Sequence, residues 1–143
     1  MAIRTRLDHQ TRQHQIVEAA RDLIANGGVD ALTIRGIASK VGVTEAAIYR
    51  HVESKEEVIL LLIQEVEESL FQVISRATRS DTHALDRLEH LLQLHVSYVE
   101  LRHGISFVVI IQSAQFEEPR VRSAGRRLVE KYLSLVSEII SQG

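Results

Sequence analysis

The chain has 143 residues, one proline, no cysteine and a formal net charge of −2. That length suits one domain with a real hydrophobic core, and the lack of cysteine excludes a disulfide framework and a thiolate metal site. The charge is uneven: residues 1–55 hold eight Lys/Arg against six Asp/Glu, a net +2, while residues 56–143 hold nine against thirteen, a net −4. A mildly basic head on an acidic body suits a nucleic-acid-binding domain joined to a domain with another task.

Residues 1–10, MAIRTRLDHQ, are charged, lack an apolar stretch of signal-peptide length and read as a flexible basic arm carrying Arg4 and Arg6. Helical spacing of Ile16, Val17, Ala20, Leu23 and Ile24 predicts a first helix over Thr11–Asn26, ended by Asn26-Gly27-Gly28. Val29 and Leu32 bracket a short loop, and Thr33 is placed to cap a second helix whose apolar face is Ile34, Ile37, Ala38 and Val41. Gly42 supplies a left-handed residue to close that helix, and Val43 turns the chain inward. Thr44 caps a third helix with Ala47, Ile48 and Val52 on its inner side. Two short helices joined by a tight glycine turn are the geometry that lays the second helix in a DNA major groove, and the small Ala38 permits close helix crossing.

Ser54 with Glu57 three residues on forms a capping box. It opens a long fourth helix, about Lys55–Ala77, with the stripe Val58, Ile59, Leu62, Val66, Leu70, Val73 and Ile74. Ser80-Asp81-Thr82 breaks the pattern. A fifth helix runs to about Arg102 with Leu85, Leu88, Leu91, Leu92, His95, Tyr98 and Val99 inward, and His103-Gly104 ends it. Ile105–Ile111 is rich in β-branched residues and would be a strand in isolation, but its helical neighbours and the want of a partner strand favour a buried helix. Pro119 suits the first turn of a last helix bearing Val121, Leu128, Val129, Tyr132, Leu133, Val136 and Ile140. Apolar runs such as Phe107–Ile111 are far too short to span a bilayer, so the expected state is soluble, cytoplasmic and without a membrane partner.

The run Ile37-Ala38, Gly42-Val43-Thr44, Ile48-Tyr49-Arg50-His51-Val52 and Ser54-Lys55-Glu56-Glu57 resembles the N-terminal domain of TetR-type (TetR/AcrR) transcriptional regulators, most strongly over Thr11–Val58. The resemblance implies an all-α homodimer with a helix-turn-helix domain over 1–54 and a helical ligand-binding and dimerisation domain over 55–143. It implies a palindromic double-stranded operator, released when a small-molecule inducer enters the second domain. It also implies two further long helices beyond the region ending at Gly143. The second domain is therefore expected to be shortened at its C-terminus, or its dimer built differently. In a shortened form Tyr132, Leu135, Val136 and Ile139 would include apolar surface that those helices cover.

The resemblance makes Thr44, Glu45, Ala46, Ala47, Tyr49, Arg50 and His51 the recognition helix. Arg50 can reach a guanine edge or a phosphate, and Tyr49 a phosphate through its hydroxyl. Glu45 repels phosphate, yet it suits a helix start and can accept from a cytosine amino group; simple pairing with the helix dipole explains it equally well. Packing is the plain alternative for Tyr49 and His51. Thr33, Arg35 and Lys55 stand at helix N-termini where phosphates can bind, and Arg4 and Arg6 can enter a minor groove. In the second domain His95, Tyr98, Phe107, Ile111, Gln112, Gln115 and Phe116, with Tyr132, combine apolar and polar groups as an inducer pocket does. An ordinary core uses the same residues. Seven histidines form no convincing metal set, no cofactor motif is present, and no constellation of an enzyme is found. The rival reading is a helical ligand-binding or protein-interaction module that keeps the helix-turn-helix as scaffold without binding DNA.

Overall fold

The computed structural model describes the backbone of residues 2–79 and 81–143, and side chains from residue 9 onward within them. Among the described residues there are seven α-helices and no strand. They divide into two units, Met1–Leu62 and Ile63–Gly143.

In the first unit α1 spans Ala2–Gly27, so the expected arm is corrected to helix and the helix begins nine residues before Thr11. No Gly or Pro interrupts residues 2–26, and helix once nucleated propagates through such a stretch even without an apolar stripe. The side chains of Arg4 and Arg6 lie outside the described residues. Ile16, Val17, Ala19, Ala20 and Ile24 are buried, and Gly28 leaves the helix at φ 72°. The bracketed loop is a 3₁₀ turn, Val29–Ala31, with Val29 and Leu32 both buried.

Helix α2, Ile34–Val41, starts where Thr33 Oγ1 accepts from the Gly36 N–H at 2.9 Å. It ends at Gly42, φ 78°, where the amides of Gly42 and Val43 both donate to the Ala38 carbonyl. Helices α1 and α2 pack closely at Gly36: a methyl there would stand 3.1 Å from a Leu23 methyl and 3.0 Å from Thr33 Oγ1. Helix α3 is Glu45–Tyr49, shorter than expected, so Arg50 and His51 sit in the turn that follows. Ile34, Ile37, Ala38, Ile48, Val52, Val58 and Ile59 close this core. Each of its larger aliphatic side chains contributes roughly 1.5–3 kcal/mol relative to exposure.

Helix α4, Lys55–Thr78, begins in the first unit, and its turns from Ile63 onward belong to the second. Its capping box is offset by one residue: Ser54 Oγ accepts from the Glu57 amide, while the Glu57 carboxylate takes the N–H of Glu53, not of Ser54. In the second unit Leu70, Ile74, Ala77, Leu91, Tyr98 and Ile139 form the core, drawn from α4, α5 (Ala84–Leu101) and α7 (Pro119–Ser141).

Two expectations fail in this unit. On α5, Leu85 and Leu92 point outward, 80% and 51% exposed, whereas Arg87 is buried. On α7, Ile139 is buried, and Tyr132, Leu135 and Val136 pack against the core; the exposed apolar residues are instead Val129, Leu133 and Ile140. Both errors are of phase. Each helix carries apolar residues on more than one side, and periodicity cannot choose among sides. The helix expected over Ile105–Ile111 is present as the nine-residue α6, Ile105–Ser113, in place of the strand alternative. Positive φ at His103 (52°) and Gly104 (73°) reverses the chain between α5 and α6, which meet at 96°. No single helix among the described residues is long and apolar enough to cross a membrane.

Candidate nucleic-acid interface and apolar cavity

Helix α3 is too short to be stable alone, so its presentation depends on how its two sides are held. Inside, Ile48 is fully buried; at its start, Thr44 Oγ1 accepts from the Ala47 N–H at 3.2 Å. What remains outside is Thr44, Glu45, Ala46, Tyr49 and Arg50, all exposed, with Ala47 half-buried. Tyr49 leaves 53% of its surface in solvent, a large aromatic presented rather than packed. Thr33 and Arg35 are exposed at the start of α2, and Lys55 is half-buried at the first position of α4. Among the described residues, Arg35, Arg50 and Lys55 enter no ion pair, whereas Lys40 is 3.6 Å from Asp22.

His51 is the exception. It is half-buried, and its Nδ1 lies 2.8 Å from His9 Nδ1 with ring centroids 4.8 Å apart. One ring must donate and the other accept, so the contact cannot survive with both rings protonated. Burial, followed by the charges of His9, Arg12 and Arg50, holds the His51 imidazole below its usual pKa. Nothing in the sequence marked His9 as its partner, since a separation of 42 residues carries no local signal.

The second unit contains an apolar cavity of about 160 Å³. Val66 and Leu70 line it from α4, His95 and Val99 from α5, Ser106, Phe107 and Ile110 from α6, and Leu128, Val129 and Tyr132 from α7. His95 Nδ1 and the Tyr132 hydroxyl are 2.8 Å apart. Burial lowers the imidazole pKa and raises that of the phenol, so both are neutral near pH 7.

Of the pocket residues expected from sequence, the structure brings His95, Phe107 and Tyr132 together. Tyr98, Ile111, Gln112, Gln115 and Phe116 are outside the lining. Tyr98 is buried in the core beside the cavity, its hydroxyl 2.7 Å from Ser69 Oγ and its ring 5.2 Å from the Arg102 guanidinium. Arg102 in turn makes a two-pronged pair with Glu65 at 2.8 and 2.6 Å. Ile111 falls on the outer side of α6 at 49% exposure, while Gln115 and Phe116 follow the helix end. Ser106 and Val66 were missed because neither differs in sequence context from an ordinary helical residue. Among the described residues no three His, Cys, Asp or Glu side chains converge as a metal site.

Residues 16–62 match the family described as bacterial regulatory proteins, tetR family. The chain is 32% identical over 121 residues to the nucleoid occlusion factor SlmA of Aliivibrio fischeri, covering 84% of this chain and 62% of that protein. It is 30% identical over 132 residues to SlmA of Vibrio cholerae, covering 92% and 67% respectively. It thus spans roughly three fifths to two thirds of the curated relatives' length. The crystal structure of AibR in complex with isovaleryl coenzyme A and operator DNA superposes with a TM-score of 0.80 at 21% identity, over 92% of this chain and 71% of that one, a likeness of fold. On the family match, the extent of identity to SlmA and the capped α2–α3 corner, the chain belongs to the tetR family of bacterial regulatory proteins.

Proposed function

We propose that the chain is a sequence-specific DNA-binding transcriptional repressor, acting in the cytoplasm as a homodimer, that leaves its operator when a small molecule enters the second unit. The observation that carries this reading is the outward face of α3 and the turn after it, where Tyr49 and Arg50 stand exposed on a corner capped at both helix starts. Thr44, Glu45, Ala46, Tyr49, Arg50 and His51 would meet the major groove, and Thr33, Arg35 and Lys55 the flanking phosphates. AibR, whose fold this chain shares, was crystallised with operator DNA and an acyl-coenzyme A, which supports a fold able to serve both ligands. Helix α4 contributes to both units. A ligand that binds better to one spacing of two recognition helices would act through it, and DNA would oppose that ligand by the same coupling free energy.

Selection of bound fragments from random duplex DNA supplies the probe. With that duplex, Lys55→Ala should weaken binding and reduce the salt slope by about 1, while Tyr49→Ala weakens it without changing that slope. Unchanged affinity in both variants removes the interface assignment. The exposed Glu45 and the net charge of −2 favour the one rival, a helical module without DNA binding; a selection that enriches no duplex, with no binding to random duplex DNA at low salt, would establish it.

A further inference from the structure

We propose that the second unit's cavity takes a neutral, ring-sized molecule bearing one hydrogen-bonding group, of the phenol or cyclic-alcohol class, and rejects carboxylates and ammonium ions of the same size. This rests on the reading of that cavity as a ligand site and names the chemistry it selects. The volume comes first. About 160 Å³ is the size of an aliphatic protein cavity that stays dry and takes up benzene, so one six-membered ring with a small substituent fills it.

The charge comes next. Among the described residues no Asp, Glu, Lys or Arg lines the cavity, and two charge pairs stand on neighbouring turns: Arg102 with Glu65, and Lys131 with Glu67 at 2.8 Å. An ion drawn inside would lose its water and meet no opposite charge. Besides Ser106, the polar feature on the apolar wall is the hydrogen-bonded His95–Tyr132 pair. A neutral imidazole facing a phenol can place the shared proton on either partner. In one arrangement the Tyr132 hydroxyl donates to Nδ1 and leaves Nε2–H as a donor; in the other Nδ1–H donates and frees the tyrosine proton. The pair therefore adapts to a ligand hydroxyl, which itself both donates and accepts. Phe107 and Val129, 62% and 41% exposed while lining the cavity, mark its open side.

The test is calorimetric titration of the 143-residue chain, without DNA, by p-cresol, toluene, p-toluate and 4-methylbenzylammonium. We expect p-cresol to bind about three- to tenfold tighter than toluene, the contribution of one hydrogen bond, and each ion more than tenfold weaker than p-cresol. His95→Leu should keep toluene binding and reduce the p-cresol preference to less than about twofold. Val129→Trp, a change at a partly exposed position that needs no core space, should weaken both neutral probes. Cooperative melting of each variant confirms that it is folded. An ion binding as tightly as p-cresol, no binding of p-cresol to the folded chain, or an unaltered preference in His95→Leu overturns the inference. Displacement of the selected duplex is measured separately. Binding of p-cresol without DNA release would uphold the cavity chemistry and defeat the inducer reading; release by p-toluate but not p-cresol would do the reverse.

Discussion

Thr44→Ala isolates the contact that starts α3. Thr44 is exposed, so truncation opens no cavity, and its Oγ1 accepts from the Ala47 amide at 3.2 Å. Losing an N-cap oxygen costs about 1 kcal/mol, and Thr44→Ser keeps the oxygen at a cost of a few tenths. The first unit holds residues 1–62, a size at which about 1 kcal/mol lowers the melting temperature by roughly 4–8 °C, or roughly half that where melting involves the whole chain. On DNA the capping part of this free energy is about fivefold per half-site, and any groove contact by the Thr44 side chain adds to it. Neither substitution changes a charge, so the slope of log affinity against log salt should match wild type. Urea denaturation and duplex titration at three salt concentrations give both readouts. A Thr44→Ala protein of wild-type stability, or a Thr44→Ser protein as impaired as Thr44→Ala, refutes the capping argument.

The phase of α5 is checked by Leu91→Ala against Leu92→Ala: the first empties a fully buried site and should cost about 2–5 kcal/mol in urea unfolding, the second less than about 1. For the Glu65–Arg102 pair, Glu65→Gln and Arg102→Met should each destabilise by about 1.5–3 kcal/mol, because each leaves a half-buried partner incompletely bonded. The double variant should cost less than the sum, and strict additivity would show the pair to be uncoupled. His95 is neutral when folded because burial depresses its pKa. The unfolded chain then binds the extra proton, so this contribution is complete above about pH 6.5 and is lost as pH falls through the lower folded value. His95→Phe should flatten the fall in stability between pH 7 and 5, leaving the part due to His51, which acts in the same direction; an unchanged slope would exclude His95 as a contributor.

The corner that carries the proposed DNA contacts was legible because its signals are local. Thr33, Gly42 and Thr44 each act within four residues, through a cap or a left-handed backbone, and the sequence names all three. The His9–His51 contact spans 42 residues and the His95–Tyr132 contact 37, and no spacing rule reaches so far. The cavity was only partly legible for a related reason. Its wall takes two or three residues from each of four helices, so each must be in correct phase before the set can be named. The reading had His95, Phe107 and Tyr132 but added Ile111, Gln112, Gln115 and Phe116, which share the stretch of chain and not the side.

Helix α5 shows why phase is hard to read from apolar residues alone. Asp86, Glu89, His90, Gln93, Ser97 and Glu100 form an exposed polar stripe, but leucines at 85, 88, 91, 92, 94 and 101, with Val96 and Val99, make the apolar arc opposite it wider than the buried one. The polar residues decide it instead, by what they can reach. Tyr98 turns inward because Ser69 waits for its hydroxyl at 2.7 Å, and that carries Leu91, two turns earlier, into the core. The same rotation buries Arg87, whose Nη1 donates to Gln142 Oε1 at 2.8 Å while its Nε is buried with no partner among the described residues. It leaves Leu85, Leu92, Val96 and Leu101 in solvent. A buried guanidinium incompletely bonded beside exposed leucines runs against the transfer free energies of both residue types. On the other side stand the Tyr98–Ser69 hydrogen bond and the fully buried Leu91, whose loss would cost about 1–3 and about 2–5 kcal/mol.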